Sequence, residues 1–222
     1  MNRWQRRIDR TKVLAIEYPA AAEILRFYRE LLVFQSDPKS NVGDLLALLK
    51  LNGTGVLVER AAKLTLPTED WDREDPVNIF LLRVLEQPAY EQKARESQVD
   101  TRTVQSTCPF CFDKPLVAIL RPEGDGGRRT LQCGRCFTEW EFRRVLCPNC
   151  GEEDREKLPV YRVEEFPNIR VEACDACSHY IKAVDMTRDG NAVPEVDEIA
   201  SLSLDLWAQE KGYEKMAPNL FW

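Results

Sequence analysis

From Tyr18 to Phe34 the sequence YPAAAEILRFYRELLVF places Ala21, Ile24, Leu25, Tyr28, Leu31 and Leu32 at steps of three and four, the period of one helical face, with Pro19 suited to a first turn. The same period recurs from Val42 to Leu51. It returns after Gly53-Thr-Gly55 as far as about Leu64, and again from Pro76 to about Glu96, where Ile79, Phe80, Leu82, Val84 and Leu85 precede a polar tail. Three or four amphipathic helices over residues 1–100 predict a helical bundle. The period then shortens. After a polar, β-branched linker, VDTRTVQST (Val99–Thr107), the run LVAIL (Leu116–Leu120) reads as a strand, Glu123-Gly-Asp-Gly-Gly127 as a turn, and Arg129–Gln132 as the returning strand. The grammar repeats with Pro159–Val163, a turn around Phe166-Pro-Asn168, and Ile169–Ala173. Beyond Asp189–Pro194 a helical period resumes in VDEIASLSLDLWAQEKGY. Val196, Ile199, Leu202 and Leu206 share one face there, with Trp207 at its margin and Gly212 as a stop.

The hairpins gain meaning from what brackets them. All eight cysteines fall in Cys-x-x-Cys pairs: Cys108/Cys111, Cys133/Cys136, Cys147/Cys150 and Cys174/Cys177. Two intervening residues let the chain turn tightly enough to aim both sulfurs at one ion, while backbone N–H groups donate to the thiolates. Pro109 and Pro148 fix the second position of two turns. Gly151 supplies the left-handed conformation that follows the second cysteine, a place held elsewhere by Phe112, Phe137 and Ser178. A tetrahedral four-thiolate site needs two such turns, so eight thiolates make two ions. Each hairpin returns the chain to its own first pair, and closing these short loops has the lowest entropic cost. The expected sets are therefore Cys108, Cys111, Cys133 and Cys136 for one ion, and Cys147, Cys150, Cys174 and Cys177 for the other. In CGRCFTEWEFRRVLCPNC (Cys133–Cys150) the two pairs then serve different ions. FTEWEFRRVL is the bridge, with Trp140 and Phe142 packing the two units together.

Composition narrows the alternatives. Formal net charge is −6 and no long segment is basic overall, which opposes a nucleic-acid reading as a bulk property. No run of eighteen apolar residues occurs, and the basic start MNRWQRRIDRTK is followed by no apolar stretch or cleavage site, so the expectation is a cytoplasmic protein without a membrane partner. A disulfide framework belongs to secreted chains, and a thioredoxin-type dithiol needs one pair at a helix start, so metal ligation accounts for the pairs. No nucleophilic triad, phosphate loop or recognisable pair of catalytic carboxylates is present, and the one histidine, His179, suits hydrogen bonding because four thiolates complete each tetrahedron. The chain is therefore expected not to be an enzyme and to take no small-molecule substrate. The residues alone favour structural zinc, an ion that replaces a core too small to hold a ribbon. Arg143, in the bridge beside Trp140, would put a cation at the seam of the ribbons, making Trp140 and Arg143 the candidate partner-binding residues. The tail Leu220-Phe-Trp222 is expected to pack against the ribbons.

The ordered array Cys-Pro-x-Cys, hairpin, Leu131-Gln-Cys-x-x-Cys, Thr138-Glu-Trp140, Arg143, Cys147-Pro-x-Cys-Gly151, Glu172-x-Cys174-x-x-Cys177, Tyr180-x-Lys182, ASLSLDLWAQEKGY and Pro218-Asn219 resembles the FdhE family of formate dehydrogenase accessory proteins. The resemblance spans Thr107 to Phe221. The chain is shorter than family members typically are, with the shortfall ahead of the first cysteine. The resemblance implies an α+β fold: an amino-terminal helical domain (1–100), two tandem rubredoxin-like, zinc-ribbon-like four-cysteine units (101–145 and 146–190), and a carboxy-terminal helix and tail (191–222). It also implies iron in place of zinc at the two sites, and a cytoplasmic maturation factor that binds the catalytic subunit of a respiratory formate dehydrogenase. The late ASLSLDLWAQEKGY segment separates this reading from two others, a nucleic-acid-binding zinc ribbon and a rubredoxin-like electron carrier.

Overall fold

The computed structural model describes residues 2–63, 68–124 and 126–221. The chain divides into two compact units: one runs to Ala89 and includes Phe221, the other spans Tyr90–Leu220. The first is helical, with α1 (Arg3–Glu17), α2 (Ala22–Ser36), α3 (Val42–Asn52), α4 (Gly55–Lys63) and the start of α5 (Pro76–Glu96). The last four follow the sequence pattern, although the expected end of α4 at Leu64 lies outside the described residues. α1 was hidden by its charge: it buries only Trp4, Arg7, Arg10, Thr11 and Leu14, a stripe too polar to read as a helical face.

Local chemistry fixes the ends of these helices. Asn41 accepts from the Gly43 and Asp44 N–H groups while the Asp44 carboxylate accepts from the Asn41 N–H, a reciprocal cap for α3. Pro88 lies inside α5 and has no N–H to give the Val84 carbonyl four residues back. Gln35 of α2 donates to that oxygen at 2.8 Å, so the broken helical bond is replaced by one between helices. The core holds Leu14, Leu25, Leu31, Leu32, Leu45, Leu49, Leu81 and Val84, all nearly inaccessible. Phe221 packs here too, on Phe27, Tyr28 and Phe80, and not on the ribbons as the sequence suggested; Trp222 lies outside the described residues.

The second unit is built on a single sheet. Its strands are β1 (Pro115–Glu123), β2 (Gly126–Cys133), β3 (Glu139–Glu141), β4 (Val160–Arg162), β5 (Ile169–Cys174), β6 (His179–Asp185) and β7 (Glu214–Lys215). The spatial order is β3-β2-β1-β6-β5-β4, with β7 beside the start of β6. Both expected hairpins form: β1 pairs antiparallel with β2, and β4 with β5. They are not separate ribbons, however. β6, which the sequence did not announce, pairs antiparallel with β5 and parallel with β1 over Val117–Leu120 and Lys182–Asp185, fusing the two halves.

The sheet has two unlike faces, because residues opposite one another in register point the same way. One carries Ala118, Leu131, Trp140, Ile181 and Ala183, and packs with Phe142, Met216 and most of the cysteines. The other carries Lys182, which meets α6 (Pro194–Ala200) and α7 (Leu202–Glu210). The single late helix of the sequence reading breaks at Ser201, and the break rotates the buried face. Val196 and Ile199 are buried as expected, but past Ser201 it is Leu204, Asp205 and Ala208 that turn inward while Leu206 is exposed. Gly212, at φ 85°, ends the segment.

Candidate metal centres

Each Cys-x-x-Cys pair sits in the same backbone turn. The residue after the second cysteine is left-handed in all four: Phe112 (φ 62°), Phe137 (φ 55°), Gly151 (φ 79°) and Ser178 (φ 56°). Its N–H donates to the carbonyl of the first cysteine at 3.0, 3.2, 3.0 and 2.8 Å respectively. In three turns the N–H two residues after the first cysteine points at its sulfur: Phe110 to Cys108 at 3.4 Å, Arg135 to Cys133 at 3.3 Å, and Asn149 to Cys147 at 3.4 Å. The first-cysteine N–H of those turns is held by the carbonyls of Asp113, Thr138 and Glu152. The non-glycine turns thus keep the glycine geometry, with the cost of a left-handed L-residue, about 1–2 kcal/mol, set against the hydrogen bonds gained.

The hairpins bring these turns together in sequence order. Cys108, Cys111, Cys133 and Cys136 form one group and Cys147, Cys150, Cys174 and Cys177 the other, each with its sulfurs within 4.8 Å of one another. All eight are free thiols, so the disulfide alternative fails, and so does sharing of one ion across the bridge by Cys136 and Cys147. Contacts between turns are 3.5 Å for Cys108 to Cys136, 3.4 Å for Cys111 to Cys133, 3.8 Å for Cys147 to Cys177 and 3.6 Å for Cys150 to Cys174. Four sulfurs about 2.3 Å from a central ion at tetrahedral angles stand about 3.8 Å apart, so the residues fit a tetrathiolate site. The two sets differ in shielding. Cys108, Cys133 and Cys136 are buried and Cys111 partly so, whereas Cys150 of the second set is exposed.

The surroundings assign the other singled-out residues. Cys136 Sγ lies 3.1 Å from the Thr138 hydroxyl. His179 is no ligand; its Nδ1 lies 2.7 Å from the Cys177 carbonyl, a geometry in which Nδ1–H donates. Trp140 is 1% exposed, its indole N–H given to the Gln105 carbonyl at 2.8 Å, so it packs the core and anchors the linker and is not presented to a partner. Arg143 is exposed and pairs with Glu153. The cation at the seam is instead Arg129 of β2, buried over the Phe142 ring, donating to the Arg143 carbonyl and to Glu172 of β5 at 2.9 Å. Glu172 also accepts from Arg170. Burial pushes its carboxyl up, yet Arg129 and Arg170 together hold it below the ordinary carboxylate value.

The late motif is equally internal. The Lys182 ammonium is fully buried and donates to the Glu198 carbonyl at 2.5 Å, the Ser201 carbonyl at 3.2 Å and Asp205 Oδ2 at 2.6 Å. Tyr180 donates to Asp205 at 2.7 Å, and Lys215 and Asn219 close on Glu198. Tyr180-x-Lys182, the Ser201 and Asp205 of the late segment, and Asn219 are therefore one buried polar network. Only the charges among the apolar positions hinted at it.

A seven-stranded sheet that sets two tetrathiolate clusters of like-built turns on one face defines a tandem rubredoxin-like metal-binding protein. Residues 107–144 match the FdhE central domain and 145–222 the FdhE C-terminal domain, and this chain belongs to the FdhE family. It is 36% identical to the protein FdhE homolog of Aquifex aeolicus, over 66% of this chain and 52% of that one. With a Haemophilus influenzae FdhE homolog it shares 29% over 89% of this chain and 67% of that one. The chain thus spans about half to two thirds of the length of these relatives. The crystal structure of the FdhE protein from Pseudomonas aeruginosa superposes with a TM-score of 0.80 at 22% identity, covering 98% of this chain and 94% of that one, so the fold is shared throughout.

Proposed function

We propose that this chain is a non-catalytic, cytoplasmic accessory factor that binds the catalytic subunit of a respiratory formate dehydrogenase and is needed for that enzyme's activity. The observation that carries the reading is the unbroken match to the two FdhE domains across the residues that build both sulfur sets and the sheet joining them. The two ions, held by the four cysteines of each set, brace the turns into a rigid docking platform. Iron, which the family reading favours over zinc, would add one-electron chemistry at these positions. The chain's own residues supply the thiolates, the N–H groups that face them, and the core that keeps them apart.

The test is co-purification of the tagged chain with the catalytic subunit, compared with a Cys147→Ser plus Cys150→Ser variant. The expected outcome is a complex with the unaltered chain, and a variant that loses both the complex and one of two ions. Absence of any complex with the unaltered chain would refute the reading. Elemental analysis of anaerobically purified protein with a visible spectrum decides the ion: two irons give a coloured protein, two zincs a colourless one.

A further inference from the structure

The hairpin β4–β5 carries an arrangement that folding does not explain. Val160 and Glu172 face each other across the pair, as do Arg162 and Arg170, so all four side chains lie on the face that bears the sulfur clusters. Like charges directly opposite in an antiparallel pair are destabilising. Arg162 feels it: burial lowers its pKa first, then the charges of Arg170 and Arg188, with Asp185 and Glu172 offsetting only part. Beside this pair a cavity of about 60 Å³ opens, lined by Arg129, Arg144, Arg170 and Glu172, with Val160 and Met216 among its apolar walls and with Cys147 and Cys174 of the second sulfur set at its margin. Three guanidiniums thus line the cavity with one carboxylate, and a fourth, Arg162, stands opposite Arg170 on the same face, on a chain whose net charge is −6. Glu172 is already shared by Arg129 and Arg170. Arg144 and Arg162 are exposed, and among the described residues no side-chain hydrogen bond or ion pair engages either guanidinium.

The size of the cavity narrows its occupant. It holds a few waters or one small oxyanion group, far less than a drug-sized ligand. Guanidinium forks recognise carboxylates in a bidentate manner, and the apolar walls suit a short methylene stem. The neighbouring strand supplies the rest. β4 is the last strand of the sheet, so among the described residues its outer edge has no strand partner, and Val160 on it and Val163 just past its end are exposed. An extended segment added to such an edge projects every second side chain onto one face.

We infer that the outer edge of β4 and the arginine-lined cavity beside it form a docking site for an extended acidic segment of the client, with carboxylates at alternate positions meeting Arg144, Arg162 and Arg170. The inference rests on the proposed accessory role and adds the chemistry of the contact. The probe is a fluorescein-labelled peptide alternating threonine and glutamate, titrated into the metal-loaded full chain and read by anisotropy, with a threonine–glutamine peptide and a single-stranded oligonucleotide as controls. Expected is binding of the glutamate peptide alone, weakening with salt, and reduced about tenfold or more by Arg144→Glu plus Arg162→Glu. The milder pair Arg144→Gln plus Arg162→Gln should give a smaller loss, with circular dichroism and metal content unchanged in both. Equal binding by the variants, or binding of the oligonucleotide in place of the peptide, overturns the site.

Co-purification separates this inference from the reading it rests on. A client captured equally by the unaltered chain and the charge-reversed pair leaves the accessory role standing and overturns the docking site. A chain that binds the peptide through these arginines but captures no client sinks the accessory role and spares the peptide site.

Discussion

At the residue scale, one position repeated four times controls the metal turns. Phe112, Phe137, Gly151 and Ser178 all adopt positive φ, yet only one is glycine. The turn is imposed by its hydrogen bonds and by the sulfurs it must aim. Phe112, 74% exposed, contributes little burial in return for its conformation. Replacing it by glycine removes a strain of about 1 kcal/mol and adds about as much unfolded-state entropy, so Phe112→Gly is expected to leave stability within about 0.5 kcal/mol. Gly151→Ala has room for its Cβ but places it at φ 79°, and should cost about 1 kcal/mol. Denaturant midpoints of the metal-loaded proteins check both. Trp140 and Arg143 differ in kind as well: Trp140→Ala opens the core and should cost about 3–5 kcal/mol, whereas Arg143→Ala loses an exposed ion pair worth about 0–1 kcal/mol.

At the scale of elements, the break between α6 and α7 is a binding device for Lys182. The Glu198 and Ser201 carbonyls at the end of α6, together with Asp205 one turn into α7, converge on one ammonium. Removing this buried cation leaves Glu198 and Asp205 to share Lys215, so Lys182→Met should destabilise the second unit by about 3 kcal/mol, read from thermal or urea unfolding. This network also shows where sequence reasoning stopped. The cysteine spacing announced the sulfur sets and the order of pairing, since ligand geometry is local. The hairpins were legible from alternation and turn residues. β6 was not, because its alternation is masked where Lys182 occupies a position that reads as solvent-facing. Helix α1 escaped for the same reason, with Arg7 and Arg10 buried on its inner face. The inward packing of Trp140 was expected from the bridge, but spacing could not tell that its burial withdraws it from any partner, or that Arg129 is the arginine at the seam. Lys182, Trp140 and Arg129 are each satisfied by partners far away in the chain, and such partners leave no local trace.

At the scale of the whole molecule, buried carboxylates couple the sheet to pH. Burial raises the Glu198 carboxyl, but Lys182 and Lys215 outweigh it and hold it at about 2. Glu172 is lowered by Arg129 and Arg170 in the same way. Groups depressed by folding contribute stability that is complete above their unfolded pKa, about 4.5, and is lost as pH falls through the folded value. The unfolding midpoint is therefore expected to fall steadily from about pH 5 towards pH 2, and the slope to be shallower in Glu198→Gln compared at equal metal content. The parallel seam between β1 and β6 sets a further limit at this scale. Because Val117–Leu120 pairs with Lys182–Asp185, severing the chain between residues 144 and 145 would strip each fragment of a partner for an apolar strand in the middle of the sheet. Either fragment alone would carry its four thiolates and yet expose a raw edge prone to self-association, so dissection into two one-ion modules removes the protection that the joined sheet gives its central strands.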